Sequence, residues 1–123
     1  MIIRRVVANI STNLLKESIK FYTELFGFQV AMDMDWIVTL AFPSNPIVQI
    51  SLIRGEQLAK EQIPVSLSIE VDDVDAVHSK AVTLYNNIVY PLTNESWGVR
   101  RFHVKDPNGI IINVMSHIKQ NEP

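Results

Sequence analysis

Residues 2–11, IIRRVVANIS, are β-branched and alternate in character, the period-two pattern of a strand. Asn13 then stands where a helix N-cap is wanted, since its side-chain oxygen can take an orphan backbone N–H. Behind it Leu15, Ile19, Tyr22 and Phe26 recur at intervals of four, three and four, one face of an amphipathic helix. Gly27 follows, where a helix commonly ends in left-handed backbone. The same signals return further along. VSLSIEV (65–71) alternates as a strand, Asp72 or Asp73 caps, and Val74, Val77, Ala81 and Leu84 form a second stripe. Asn86 closes that helix, asparagine being next to glycine in its tolerance of the left-handed region.

Asn13 and Asp72 are 59 positions apart, and so are Gly27 and Asn86. Three strand-like runs follow each helix: 28–35, 36–42 and 47–53 in the first half, 88–93, 99–105 and 110–116 in the second. The turns PSNP and DPNG precede the last run of each. The pattern predicts an internal duplication of a β-α-β-β-β module. The expected organisation is a single domain over 1–123, with modules 1–54 and 65–118 joined by a linker at 55–64. The fold class is α+β.

Alternation also assigns faces. Val7, Asn9 and Ser11 share one side of the first strand, and Val6, Ala8 and Ile10 the other. In the second module Ser66, Ser68 and Glu70 oppose Val65, Leu67, Ile69 and Val71. Gln49 and Ser51 oppose Val48, Ile50 and Leu52, and Asn113 shares a side with Ile111 and Met115. Helix stripes need the apolar sides, so the polar sides are expected to line a mixed polar and apolar cleft.

Composition narrows the chemistry. With 47% hydrophobic and 20% charged residues in 123, the chain has enough apolar material for one core. A net charge of −2, with no run of Lys or Arg longer than two, argues against nucleic acid as a partner. No apolar segment approaches the ~20 residues of a membrane span, and the N-terminus lacks the apolar core of a signal peptide. A cytoplasmic location is expected. The absence of cysteine removes disulfides, thiolate nucleophiles and Cys-ligated zinc together.

Three motifs carry a family likeness. SIKFYTELFGF (18–28) resembles the first-helix signature of the vicinal oxygen chelate superfamily, the group of glyoxalase I, bleomycin-resistance proteins and extradiol dioxygenases. WGVRRFHVKDPNG (97–109) is similar to its late strand and turn, and SIEVDDVDAV to the start of its second module. The likeness spans about residues 4 to 116. It implies a mixed sheet curved into a cup with helices on the outer face, and a ligand held in the cleft between modules. It also implies a homodimer in which each site draws on both subunits.

Metal-dependent members of that group place four ligands, His or Glu as a rule, on the first and last strand of each module. By motif those places fall here on Val7, Ser51, Ser66 and Asn113, with Ile50 in place of Ser51 if the turn shifts the register. Valine offers no lone pair, and hydroxyls and amides are weak ligands beside imidazole and carboxylate. No metal and no cofactor are expected. His78 is expected on the polar side of its helix and His117 on the surface, while His103 faces or flanks the cleft.

What remains suits binding. Asn9, Ser11, Ser51, Ser66, Ser68 and Asn113 supply neutral donors and acceptors, and Glu70 can pair a cation or act as a general base. Arg100 and Arg101 must point to opposite faces, so one of them, Arg101 in the expected ligand set, can hold an anion. Trp97 can stack on a flat ligand or pin the turn, His103 joins the set, and Trp36 can cover an entrance or a partner subunit. Glu70 with His103 is the pair to examine for proton transfer. The expected function is metal-independent small-molecule binding of the bleomycin-resistance type, serving antibiotic or metabolite sequestration. The alternatives are a glyoxalase-like lyase or isomerase or a dioxygenase-related enzyme, and a ligand-free structural or regulatory dimer.

Overall fold

Ile10 and Thr12 turn inward and Asn9 and Ser11 outward, so the alternation of the first strand is kept, but over a shorter stretch than expected. In the computed structural model, which describes residues 1–55 and 66–118, strand β1 is Ala8–Thr12 and residues 1–7 are not extended in a sheet. The chain divides into two compact units, Met1–Gln62 and Ile63–Pro123. The first contains β1, helix α1 (Leu15–Phe26), β2 (Gln29–Asp33), β3 (Ile37–Phe42) and β4 (Asn45–Arg54). The second contains β5 (Ser66–Glu70), α2 (Val74–Leu84), β6 (Ile88–Asn94), β7 (Val99–Lys105) and β8 (Ile111–His117). Apart from Gly55, the expected linker lies outside the described residues, as does Val65.

The two units repeat one topology. The sheet orders are β1-β4-β3-β2 and β5-β8-β7-β6, and in each the first and last strands pair in parallel while the other pairings are antiparallel. The duplicated β-α-β-β-β pattern is therefore real at the level of strand pairing. Each helix covers its own sheet's apolar side. Leu15, Phe21, Tyr22 and Leu25 of α1 are buried, as are Val38, Leu40, Ile50 and Leu52 of β3 and β4. Val74 and Ala81 of α2 are buried, with Phe102, Val104, Ile112 and Val114 beneath.

Local details depart from the expectations in instructive ways. The residue at the N-cap of α1 is Leu14, with no side-chain cap, and not Asn13. Thr12 takes the role from inside the core: its hydroxyl accepts the Leu14 N–H at 2.8 Å and lies 3.2 Å from the buried Ser18 hydroxyl. The buried face of α1 is accordingly rotated, centred on Ser18, Phe21 and Tyr22, leaving Ile19 and Phe26 half-buried. At α2 the choice between two aspartates is settled for Asp73, whose carboxylate accepts the Ala76 N–H at 3.1 Å. Leu84 sits at the end of the predicted stripe but is 46% exposed. Both helices stop as expected, at Gly27 with φ 79° and at Asn86 with φ 51°.

Candidate functional site

A polar row crosses the open side of each sheet, the side away from the helix. In the first unit the pairing sets Asn9 opposite Ser51 and Ser51 opposite Thr39. In the second it sets Ser68 opposite Asn113, Asn113 opposite His103, and His103 opposite Tyr90. Asn9 and Ser68 are 59 positions apart, so Ser51 and Asn113 hold equivalent places. Ser51 rather than Ile50 is thus the residue on the open side, and Ile50 is 5% exposed in the core.

In the first unit the row is largely self-satisfied. The buried Ser51 hydroxyl lies 2.9 Å from that of Thr39. Asn9 and Ser11 are exposed beside it, Ser11 opposite Ile53.

The second unit is richer. The Asn113 amide donates to the Ser68 hydroxyl at 3.2 Å, and Ser66 is exposed one row away, opposite Ile111. Arg101 donates to Glu95 Oε2 from Nε at 3.1 Å, with its terminal nitrogen 2.8 Å from the same oxygen. Tyr90 donates its phenolic O–H to the same carboxylate, 3.1 and 3.2 Å from the two oxygens. The guanidinium lies between two rings, 5.3 Å from the Tyr90 centroid and 5.1 Å from that of Trp97. On its other side Tyr90 meets the His103 ring at 4.8 Å, tilted by 33°. Trp97, Arg101, Tyr90 and His103 therefore form one ladder of flat groups, with Trp97 64% exposed at its outer end. Burial and the Arg101 charge hold the His103 imidazole below its ordinary pKa, and Glu95 opposes them. At neutral pH that ring is uncharged.

Two buried atoms here have no partner: His103 Nε2 and Asn113 Oδ1. They belong to residues directly opposite one another on β7 and β8. Buried polar atoms are nearly always hydrogen-bonded, so an adjacent unpaired couple is a departure from the usual pattern.

The remaining expected residues do not join this group. Arg100 goes to the helix side, where it grips Asp75 of α2 through Nε at 3.1 Å and Nη2 at 2.8 Å. The hydrogen bond from Arg100 lowers the Asp75 pKa. Glu70 does not meet His103; its Oε2 is 3.0 Å from Nδ1 of His117, and both side chains are exposed. His78, expected in solvent, instead packs edge-on against the core Phe102, ring centroids 5.1 Å apart. Trp36 is exposed. Sequence reasoning missed Thr39, Tyr90 and Glu95. Glu95 follows β6, and only its proximity to Arg101 in the turn leading to β7 hinted at a pair.

The four places at which metal-dependent relatives hold an ion do not suit one here. Val7 has no donor atom, the Ser51 hydroxyl is bonded to Thr39, and Ser66 and Asn113 offer a hydroxyl and an amide. Among the described residues no group of three or more His, Asp or Glu could hold a metal ion. No helix among them is long and apolar enough to cross a membrane.

A sequence model of the Glyoxalase/Bleomycin resistance protein/Dioxygenase superfamily matches residues 3–114. No curated protein matches the chain in sequence. Among solved structures, the genomically encoded fosfomycin resistance protein FosX of Listeria monocytogenes superimposes with a TM-score of 0.76 at 13% identity, over 94% of each chain. TioX of Micromonospora sp. ML1 gives 0.73 at 18% identity, covering 93% of this chain and 98% of its own. A glyoxalase/bleomycin resistance protein/dioxygenase of Alicyclobacillus acidocaldarius also gives 0.73 at 18%, covering 94% and 92%. At such identities the likeness is one of fold.

Proposed function

This chain belongs to the glyoxalase/bleomycin resistance protein/dioxygenase superfamily, and we propose that within it the protein binds a small molecule without a divalent metal. The ligand lies against the open polar side of its sheets, and the role is sequestration of an antibiotic or metabolite in the cytoplasm. The observation that carries this reading is the unpaired couple of His103 Nε2 and Asn113 Oδ1, buried and side by side on β7 and β8. The donor set at Val7, Ser51, Ser66 and Asn113 supports the metal-free part, because no imidazole or carboxylate stands there. Site residues on this reading are Asn9, Ser11 and Ser51 in one unit and Ser66, Ser68, Glu70, Trp97, Arg101, His103 and Asn113 in the other.

Two measurements test it. Elemental analysis after dialysis should find Ni, Zn, Fe and Mn well below one per chain; a stoichiometric ion would overturn the metal-free assignment. Thermal-shift screening against a broad panel of small molecules should find ligands that raise Tm, because whatever binds only the native state stabilises it. A panel without a single stabiliser would favour a structural or regulatory protein. A lyase or isomerase has one point in its favour, the Glu70–His117 carboxylate–imidazole pair at 3.0 Å. Turnover abolished by Glu70→Gln would establish that alternative.

A further inference from the structure

The buried charges on the open side of the second sheet are already paired. Arg101 is bound to Glu95, whose side chain is only 10% exposed, while Glu70 and His117 lie out in solvent. His103 is held neutral at physiological pH by its burial and by Arg101. A ligand's own charge, buried in this region, would find no free counter-charge and would cost several kcal/mol of desolvation, on the order of the penalty for an unpaired buried ion. Uncharged ligands escape that cost.

The two unpaired atoms then define what kind of neutral group fits. With the Asn113 N–H engaged by Ser68, its Oδ1 is left as an acceptor in need of a donor. In the Nε2–H tautomer, the ordinary preference of a neutral imidazole, His103 supplies a donor in need of an acceptor. Directly opposed residues of an antiparallel pair have Cβ atoms about 4.5–5.5 Å apart, close enough for one compact group to satisfy both. The Tyr90 ring, tilted against His103 and anchored through Glu95 and Arg101, limits how the imidazole can turn.

We propose that the His103–Asn113 couple reads the N–H and C=O edge of an uncharged cyclic or cis amide, such as a lactam, a pyridone or an imide. This rests on the ligand-binding reading above and adds the ligand's class. The N–H donates to Asn113 Oδ1 and the carbonyl accepts from His103 Nε2.

The test titrates the full-length, isotope-labelled chain with four small probes, followed by NMR: 2-pyridone, N-methyl-2-pyridone, benzoate and benzamidine. 2-Pyridone should move the Asn113 side-chain amide and the His103 ring resonances. N-methyl-2-pyridone, lacking the donor, should bind about tenfold more weakly, the usual worth of one hydrogen bond to a site built for it. Asn113→Leu and His103→Phe should each cost 2-pyridone a similar factor, and the spectrum of each variant reports whether it folds. Benzoate or benzamidine engaging these two residues as tightly as 2-pyridone would overturn the ligand class and leave the binding face standing. N-methyl-2-pyridone matching 2-pyridone would do the same. Silence of the whole face toward all four probes would overturn both readings.

Discussion

His103 sits between a cation and an anion that pull its protonation in opposite directions. Arg101 lowers its pKa and Glu95 raises it, with burial adding to the first. Glu95→Gln should therefore drive the His103 pKa further down, and an NMR titration of the ring reads the change directly. The same substitution strips the charge from a carboxylate that serves both Arg101 and Tyr90, at a cost of about 2 kcal/mol in urea unfolding. Stability should depend on pH through the same ring. The unfolded chain, with histidine near 6.5, takes up the proton before the folded one does. The contribution of His103 is thus intact above that value and drains away as pH falls toward the lower folded value. His103→Gln should flatten this part of the curve. The choice between Arg100 and Arg101 shows why single residues were only half legible. Alternation forces the two apart, but which one faces the helix depends on Asp75, a residue of another element.

Helix ends were legible where the signal is local and misread where a tertiary partner supplies the cap. Gly27 and Asn86 take left-handed backbone because the chain must leave a helix there, and nothing distant is needed. Asn13 had the right chemistry, but Thr12, fixed in the core beside Ser18, is the side chain that meets the backbone. Asp73→Ala should cost about 1 kcal/mol, whereas Asn13→Ala should stay within about 0.5 kcal/mol of the parent. Chemical denaturation of the two variants side by side checks the contrast. The DPNG turn offers a firmer case. Asp106 is buried, and its Oδ1 accepts from the N–H groups of Asn108 and Ile110, each at 2.8 Å. Asp106→Ala should cost about 1–3 kcal/mol by leaving those donors short. Tyr90 escaped notice for a related reason. β6 shifts register on both sides of it, so counting in twos along the sequence cannot say what it faces.

At the scale of the molecule, the duplication was readable because cap, stop and strand order repeat together, and the matching sheet orders show how deep the repeat goes. The proposed ligand class was not readable, since it rests on which polar atoms remain unpaired after all the pairings form. Oligomeric state is open to a direct measurement: we expect a homodimer, with light scattering giving twice the 14.0 kDa chain mass, and a value at the chain mass would exclude it. The parallel pairings have a temporal consequence as well. In each sheet the last strand to be synthesised lies between the first strand and the rest. A nascent chain halted before Ile111 therefore holds β5 with no neighbour to join, and the second repeat must wait, open to proteases and chaperones, until the seven residues of β8 have cleared the ribosome.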